Sequence, residues 1–208
     1  MKVDRPLPSP PRWAESLLLL LLEPRDRESF SGDLLEEYRE TVIPARGRGA
    51  NRWYAGQVAW FLWRAAWMWG VAIGAALIVR YLFDTLVPVT NFVDRSITLS
   101  QAIVTIFGAA AFWNTSRTDY IRTGILVALA AAVIGGVLSS LGSGVLLGIW
   151  HDPATLRAWQ SSGGIDEALI DIPVLLIPIS LVSGAAGAVA AKGLWTPIRR
   201  LGGRWSPP

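Results

Sequence analysis

The chain has 208 residues, of which 52% are hydrophobic and 17% charged, and it contains no cysteine. This balance is too apolar for a typical soluble domain, and the missing thiols exclude disulfides, thiolate catalysis and cysteine-ligated metals. The 19 basic and 16 acidic residues give a formal net charge of +3. Residues 1–64 hold most of the charge and residues 65–208 are mostly apolar, so we expect a small polar module followed by a membrane module.

The first apolar stretch is the leucine run Leu17–Leu22. Basic residues precede it, as in a signal peptide, but charged residues follow directly and no small-residue cleavage site is present. Because the run is also too short to span a bilayer, we interpret it as a short helix that begins after Pro11 and ends at Pro24. Helical spacing predicts its shared apolar face: Trp13, Leu17, Leu20 and Leu21.

Residues 25–43 show helical periodicity, which predicts an amphipathic helix that stops before Pro44. The apolar side carries Phe30, Leu34, Leu35, Tyr38 and Val42. The acidic side, a candidate docking surface for a protein partner, carries Asp33, Glu36, Glu37 and Glu40. Two short helices cannot bury a full core alone, so we expect a hairpin packed against the membrane, against residues 53–63 or against another protein. A basic, flexible hinge at residues 46–49 then completes a prefix of residues 1–50.

Residues 51–64 are rich in tryptophan, which favours the headgroup level of a bilayer. The aromatic residues here and just beyond are Trp53, Tyr54, Trp60, Phe61, Trp63, Trp67 and Trp69. A surface for stacking nucleic-acid bases would not continue directly into an apolar span, so we expect no nucleic-acid partner.

Four apolar stretches approach or exceed the ~20 residues that a membrane-crossing helix needs. They cover residues 64–84, 97–114, 123–149 and 168–191, and a cytoplasmic tail of residues 192–208 follows. The second is the most polar, because it contains Ser100, Gln101 and Thr105. The predicted fold is therefore all-α: an integral membrane protein with a short N-terminal helical hairpin and a four-helix transmembrane bundle.

The orientation in the bilayer follows from the positions of lysine and arginine. With both termini in the cytoplasm, all but three of the 19 basic residues lie on the cytoplasmic side, as the positive-inside rule requires. The exceptions are Arg80, Arg95 and Arg157. Membrane topology thus explains why basic residues outnumber acidic ones.

Small residues four apart predict flat packing faces on three of the spans. The sets are Ala66, Gly70 and Gly74; Gly136, Ser140, Gly144 and Gly148; and Ser183, Gly187 and Ala191. These faces can pack within one bundle, or one of them, the third span's foremost, can form a homo-oligomer or bind another span. The sequence leaves both alternatives open.

Few residues in the spans could carry chemistry. Arg80 and Asp84 are spaced to pair near the outer end of the first span. Asp171 precedes two prolines that we expect to break the fourth helix, so it is either an interfacial acid or part of an ion path. His151 is the only histidine and could serve a serine dyad only with Ser143, for which helix packing is the favoured role. We expect no enzyme activity and no cofactor.

Part of the chain is similar to a known module. The segments that carry the similarity are Pro11-Arg12-Trp13-Ala14-Glu15, Gly32-Asp33-Leu34-Leu35-Glu36-Glu37-Tyr38 and Arg52-Trp53-Tyr54 with Gln57. Over residues 10–66 the chain resembles the second variety of the permease prefix domain, which precedes bacterial membrane proteins that include permeases of the macrolide-exporter type. The resemblance implies a bacterial inner-membrane protein with a cytoplasmic prefix. It does not imply permease activity, because those permeases continue into a long chain with an extensive periplasmic domain.

Two functions are therefore expected ahead of any enzyme. The first is a non-enzymatic accessory or regulatory membrane protein whose prefix contacts a partner. The alternative is a small transporter or channel subunit with Asp171 near the pathway.

Overall fold

The computed structural model describes residues 9–86, 92–149, Arg157 and 164–202. These residues are helical, with no strand among them. The helices are α1 (Arg12–Leu21), α2 (Arg27–Glu37), α3 (Ile43–Arg46), α4 (Ala50–Leu86), α5 (Phe92–Thr118), α6 (Ile121–Ile149), α7 (Gly164–Asp166) and α8 (Ile172–Gly202). π turns at Tyr38–Val42 and Glu167–Asp171 join α2 to α3 and α7 to α8, and a 3₁₀ turn at Gly47–Gly49 precedes α4.

Four helical segments are long and apolar enough to cross a membrane. They are Ala50–Phe83, Ile97–Thr118, Ile121–Ile149 and Glu167–Leu194, so the all-α fold with four spans is confirmed. The last helix continues through Gly202, well into the predicted tail, and residues 203–208 lie outside the described residues. The first segment has 34 residues, or about 51 Å, which exceeds the ~30 Å hydrocarbon core.

The first span packs on the third through glycine. A methyl group built on Gly70 of α4 would lie 2.6 Å from Cβ of Ile134 in α6, and one on Gly74 would lie 2.7 Å from Cβ of Leu138. On the facing side, a methyl group built on Gly135 of α6 would likewise overlap the Ile73 side chain of α4. The two helix axes therefore approach more closely than any larger side chain allows.

The fourth span packs on the second and third spans. Gly187 of α8 lies directly against the main-chain carbonyl of Gly108 in α5, and a methyl group on Gly136 of α6 would lie 3.3 Å from Cβ of Pro173. Half of the predicted stripe on α6 is not enclosed by the described residues, because a methyl group on Gly144 or Gly148 would meet none of their atoms within 4 Å.

Two prolines lie in continuous helical segments, each just after a π turn. We predicted a helix end before Pro44 and a break at Pro173 and Pro178, and both predictions are wrong. The N–H of the residue before Pro44 bonds to a carbonyl five residues back, and the same bond occurs before Pro173. This wider turn moves the preceding carbonyls away from the proline ring, so the helix continues.

The prefix helices share a hydrophobic core with the first turns of α4. The buried residues of this prefix core are Ala14, Leu18, Leu22, Leu34, Tyr38, Val42, Ala50, Tyr54 and Val58. At its centre the rings of Tyr38 and Tyr54 meet edge to face at 5.6 Å, and the Tyr38 hydroxyl donates to Asn51 Oδ1 at 2.5 Å. The sequence left three alternatives for what the prefix hairpin packs against. In the structure it packs against the Trp-rich segment.

The buried face of α1 differs from the predicted one. Ala14 and Leu18 are fully buried, whereas Trp13 is 61% exposed and Leu17 and Leu21 only border the core. A leucine run has apolar side chains on every side, so periodicity alone cannot choose the buried face. On α2 the predicted face is confirmed at Leu34, with Tyr38 and Val42 beyond it, whereas Phe30 is 40% exposed and Leu35 only borders the core.

The glycine contacts also place the helices relative to one another along the bundle. Gly70 lies beside Ala131 and Gly74 beside Gly135, so α4 and α6 run in the same direction. Ile121, where α6 begins, is therefore level with about residue 60 of α4. The earlier residues Ala50–Val58, which we call the stalk, extend beyond the bundle and carry the prefix.

Candidate functional site

The loop between α5 and α6 is very short and holds a fixed shape. α5 ends at Thr118 and α6 begins at Ile121, which leaves two connecting residues. Asp119 has a φ of 65°, in the left-handed region that aspartate tolerates better than most residues, and its N–H bonds to the Thr115 carbonyl at 2.8 Å. The loop is thus a defined surface that other elements can contact.

Arg27, the first residue of α2, binds this loop and α1 together. Its Nη1 donates to the Tyr120 hydroxyl at 3.0 Å and its Nη2 to the Thr118 carbonyl at 3.1 Å. Its Nε donates to the Leu19 carbonyl at 2.9 Å, and the guanidinium carbon lies 4.3 Å from the centre of the Tyr120 ring. The planar fork of arginine suits three divergent acceptors and an aromatic face at once, which an ammonium group cannot do.

The carboxyl end of α1 is capped by other elements. The last carbonyls of a helix lack N–H donors within the helix, and those of Leu19 and Leu20 lie in the last turn of α1. Arg27 donates to the Leu19 carbonyl, and Thr123 Oγ1 of α6 donates to the Leu20 carbonyl at 2.6 Å. Thr123 is buried, so this bond is shielded from water.

An ion pair joins the prefix to the same loop. Arg117 Nε and Nη2 lie 2.9 and 2.7 Å from Glu23 Oε1, and Arg25 Nη2 lies 3.0 Å from Glu23 Oε2. The side chains are partly exposed, so the pairs fix orientation more than they add stability.

The last helix reaches the loop from the other side. Lys192 Nζ of α8 lies 2.6 Å from Asp119 Oδ1. The prefix, the α5–α6 loop and Lys192 therefore lie at one end of the bundle. We call the contacts of Glu23, Arg27, Arg117, Tyr120 and Thr123 the prefix junction.

The residues singled out from the sequence lie elsewhere. All four acidic residues of the candidate docking surface on α2 and the adjoining π turn are exposed to solvent. Asp171 is exposed at the end of the second π turn, and Arg80 is half-buried in α4. The side chain of Asp84 and all of His151 lie outside the described residues, so neither the Arg80–Asp84 pair nor the Ser143–His151 dyad is placed.

Sequence reasoning missed the prefix junction. Arg117 entered only as a positive charge for topology, and nothing near Arg27 in the sequence indicates a contact with Tyr120, which is 93 residues away. The one available signal was the presence of Glu23 and Arg27 beside a helix end that needs donors for its carbonyls.

The groups in the prefix junction satisfy one another, since donors meet carbonyls and opposite charges meet in pairs. Among the described residues no cluster of histidine, aspartate or glutamate could hold a metal ion. The arrangement connects a polar module to a helical bundle in a fixed orientation.

No family model, curated protein or solved structure matches the chain. The class is therefore defined by the fold and the prefix junction: an all-α, multi-pass membrane protein whose prefix is held against one end of four apolar helices.

Proposed function

We propose that the protein is a non-enzymatic accessory or regulatory component of the bacterial inner membrane, and that its prefix docks a partner protein in the cytoplasm. The observation that carries the proposal is the division of α2 and its π turn into two sides. One side is buried in the prefix core, where it contributes Leu34, Tyr38 and Val42. The other side exposes its acidic residues to solvent. The prefix junction fixes the orientation of α2 relative to the bundle.

The acidic side has a shape as well as a charge. A shallow depression of about 440 Å³ is lined by Gly32, Leu35, Glu36, Arg39 and Glu40. Half-buried Leu35 offers an apolar contact between carboxylates. This combination suits a segment of a partner protein with one apolar anchor between basic side chains, because basic residues complement the carboxylates and speed association.

The proposed location rests on charge and resemblance. The basic residues concentrate in the prefix, in the α5–α6 loop and in α8 from Lys192 onward, and these segments share one end of the bundle. The positive-inside rule assigns that end to the cytoplasm, which supports cytoplasmic N and C termini. The resemblance of residues 10–66 to the permease prefix domain supports the bacterial inner membrane.

The test is reversal of charge on the docking side. Glu36→Lys combined with Glu40→Lys changes two exposed carboxylates one helical turn apart without touching the prefix core. We expect partner proteins cross-linked in native membranes to be lost from the purified sample, by at least tenfold in mass-spectrometric signal. The matched control is Asp166→Lys with Asp171→Lys, which reverses two exposed acids near the start of α8.

Membrane insertion of both variants is checked by a protease-accessibility assay on tagged termini. Equal partner recovery from the wild type and the Glu36/Glu40 variant would overturn the proposal. So would an equal loss in the control, because the effect would then follow net charge and not the docking side.

A further inference from the structure

One face of α4 combines a single arginine with three large aromatic rings. Trp63 and Arg64 each lie three or four residues from both Trp60 and Trp67, so all four share one side of the helix. All four are exposed, the tryptophans by 55%, 48% and 44% in chain order. We call this the Arg64 face.

The Arg64 face points away from the other described residues of the prefix and the bundle. The prefix covers the side of the stalk that carries Tyr54 and Val58, and the bundle covers the side that carries Ala66 and Gly70. The described residues thus leave the Arg64 face exposed to whatever surrounds the protein at that depth.

The depth of the face follows from the alignment of α4 with α6. Ile121 is level with about residue 60 of α4, so Arg64 lies roughly one helical turn, ~6 Å, further into the bundle. An arginine at that depth extends its long side chain back to the headgroup layer. Tryptophan rings favour the same layer, where they can be apolar on one side and hydrated on the other.

The charge of Arg64 is not neutralised by the described part of the protein. Two other basic residues at this end are engaged, Arg27 by Tyr120 and Arg117 by Glu23. Within the described part of the chain no carboxylate pairs with Arg64, and the sequence has no acidic residue between positions 50 and 83. A guanidinium between apolar rings at a membrane boundary requires an anion to offset the loss of hydration.

We propose that the Arg64 face binds an anionic phospholipid of the leaflet on the prefix side, with the guanidinium on its phosphate and the tryptophan rings against its glycerol and upper acyl chains. A lipid satisfies both halves of the face, because the phosphate offers paired oxygen acceptors and the chains cover the rings. A free phosphate ion would leave the rings without a partner.

The experiment counts lipids retained by the full-length protein in native mass spectrometry, with phosphatidylglycerol or phosphatidylcholine added to the detergent. The wild type is expected to retain phosphatidylglycerol preferentially. Arg64→Gln is expected to weaken that retention about fivefold, the effect of one basic residue at a lipid surface. The matched control is Arg52→Gln, which removes an exposed arginine from the same helix but from the stalk beyond the bundle.

A second variant keeps the charge and removes the rings. Trp60→Leu with Trp67→Leu is expected to weaken phosphatidylglycerol retention while Arg64 is still present. Equal retention by the wild type and Arg64→Gln would overturn the proposal, as would equal losses in Arg64→Gln and Arg52→Gln. Displacement of the lipid by millimolar inorganic phosphate would also overturn it, since the site would then recognise the ion and not the lipid.

Discussion

The hydroxyl of Ser140 in α6 donates a 2.8 Å hydrogen bond to the main-chain carbonyl of Leu169 in the second π turn. In a regular helix that carbonyl would accept from the N–H of residue 173, but this residue is Pro173 and has no N–H. A carbonyl without a donor is costly in hydrocarbon, where no water can replace the bond. The third span therefore supplies the donor that a proline removes from the fourth.

Ser140→Ala removes that donor and is expected to destabilise the bundle by about 1 kcal/mol, the usual worth of a hydrogen bond between membrane helices. The measurement is reversible unfolding in mixed micelles with increasing dodecyl sulfate. Ser143→Ala is the control, because the Ser143 hydroxyl is fully buried and has no hydrogen-bond partner among the described residues. Its removal should be neutral or slightly favourable.

Pro173 provides a further check on the same bond. With Pro173→Ala, residue 173 regains an N–H that can serve Leu169, so Ser140→Ala should then cost less than it does in the wild type. An equal cost in both backgrounds would show that Ser140 does not compensate for the proline.

Glycines on two sides of the bundle should respond oppositely to added methyl groups. Gly70→Ala places a methyl group 2.6 Å from Cβ of Ile134, so the two helices must separate, and we expect a loss of about 1–3 kcal/mol. Gly144→Ala meets no described atom within 4 Å and should be neutral or gain up to ~1 kcal/mol, since alanine is the better helix former. Both values come from the same unfolding assay, and equal costs at the two sites would contradict this packing.

The prefix junction should distinguish arginine from lysine at position 27. Arg27→Lys keeps the charge but cannot reach the Tyr120 hydroxyl and the Thr118 and Leu19 carbonyls together. We expect amide hydrogen exchange in α1 to accelerate about tenfold, which corresponds to ~1.4 kcal/mol of lost local stability. Arg25→Lys is the control, as its side chain is 77% exposed, and unchanged exchange in both variants would rule out an anchoring role for Arg27.

Sequence patterns sufficed for the number of spans and for the buried side of α2, because length, hydropathy and helical periodicity are local properties. They failed at Pro44 and Pro173, where a proline usually ends a helix but a π turn lets it continue. They also gave no sign that the helix of the first span begins at Ala50, well before the predicted span start at residue 64. The aromatic segment gives no local sign that it forms a stalk.

The small-residue stripes show a similar division. Spacing by four selected Gly70 and Gly74, which pack on α6, and it also selected Gly144, which packs on nothing described. Gly135 and Gly142 of α6 face α4 and belong to none of the predicted stripes. Which stripe is enclosed depends on the rotation of each helix in the bundle, and that rotation is set by contacts between distant segments.

The shared core of the prefix and the stalk has a consequence for the order of events during synthesis. The prefix helices leave the ribosome before the spans, yet their core is incomplete until Tyr54 and Val58 have followed. Thr123, which caps α1, belongs to the third span. The prefix therefore reaches its final structure only after two later helices have been made, and until then its leucines are apolar surface without their final cover.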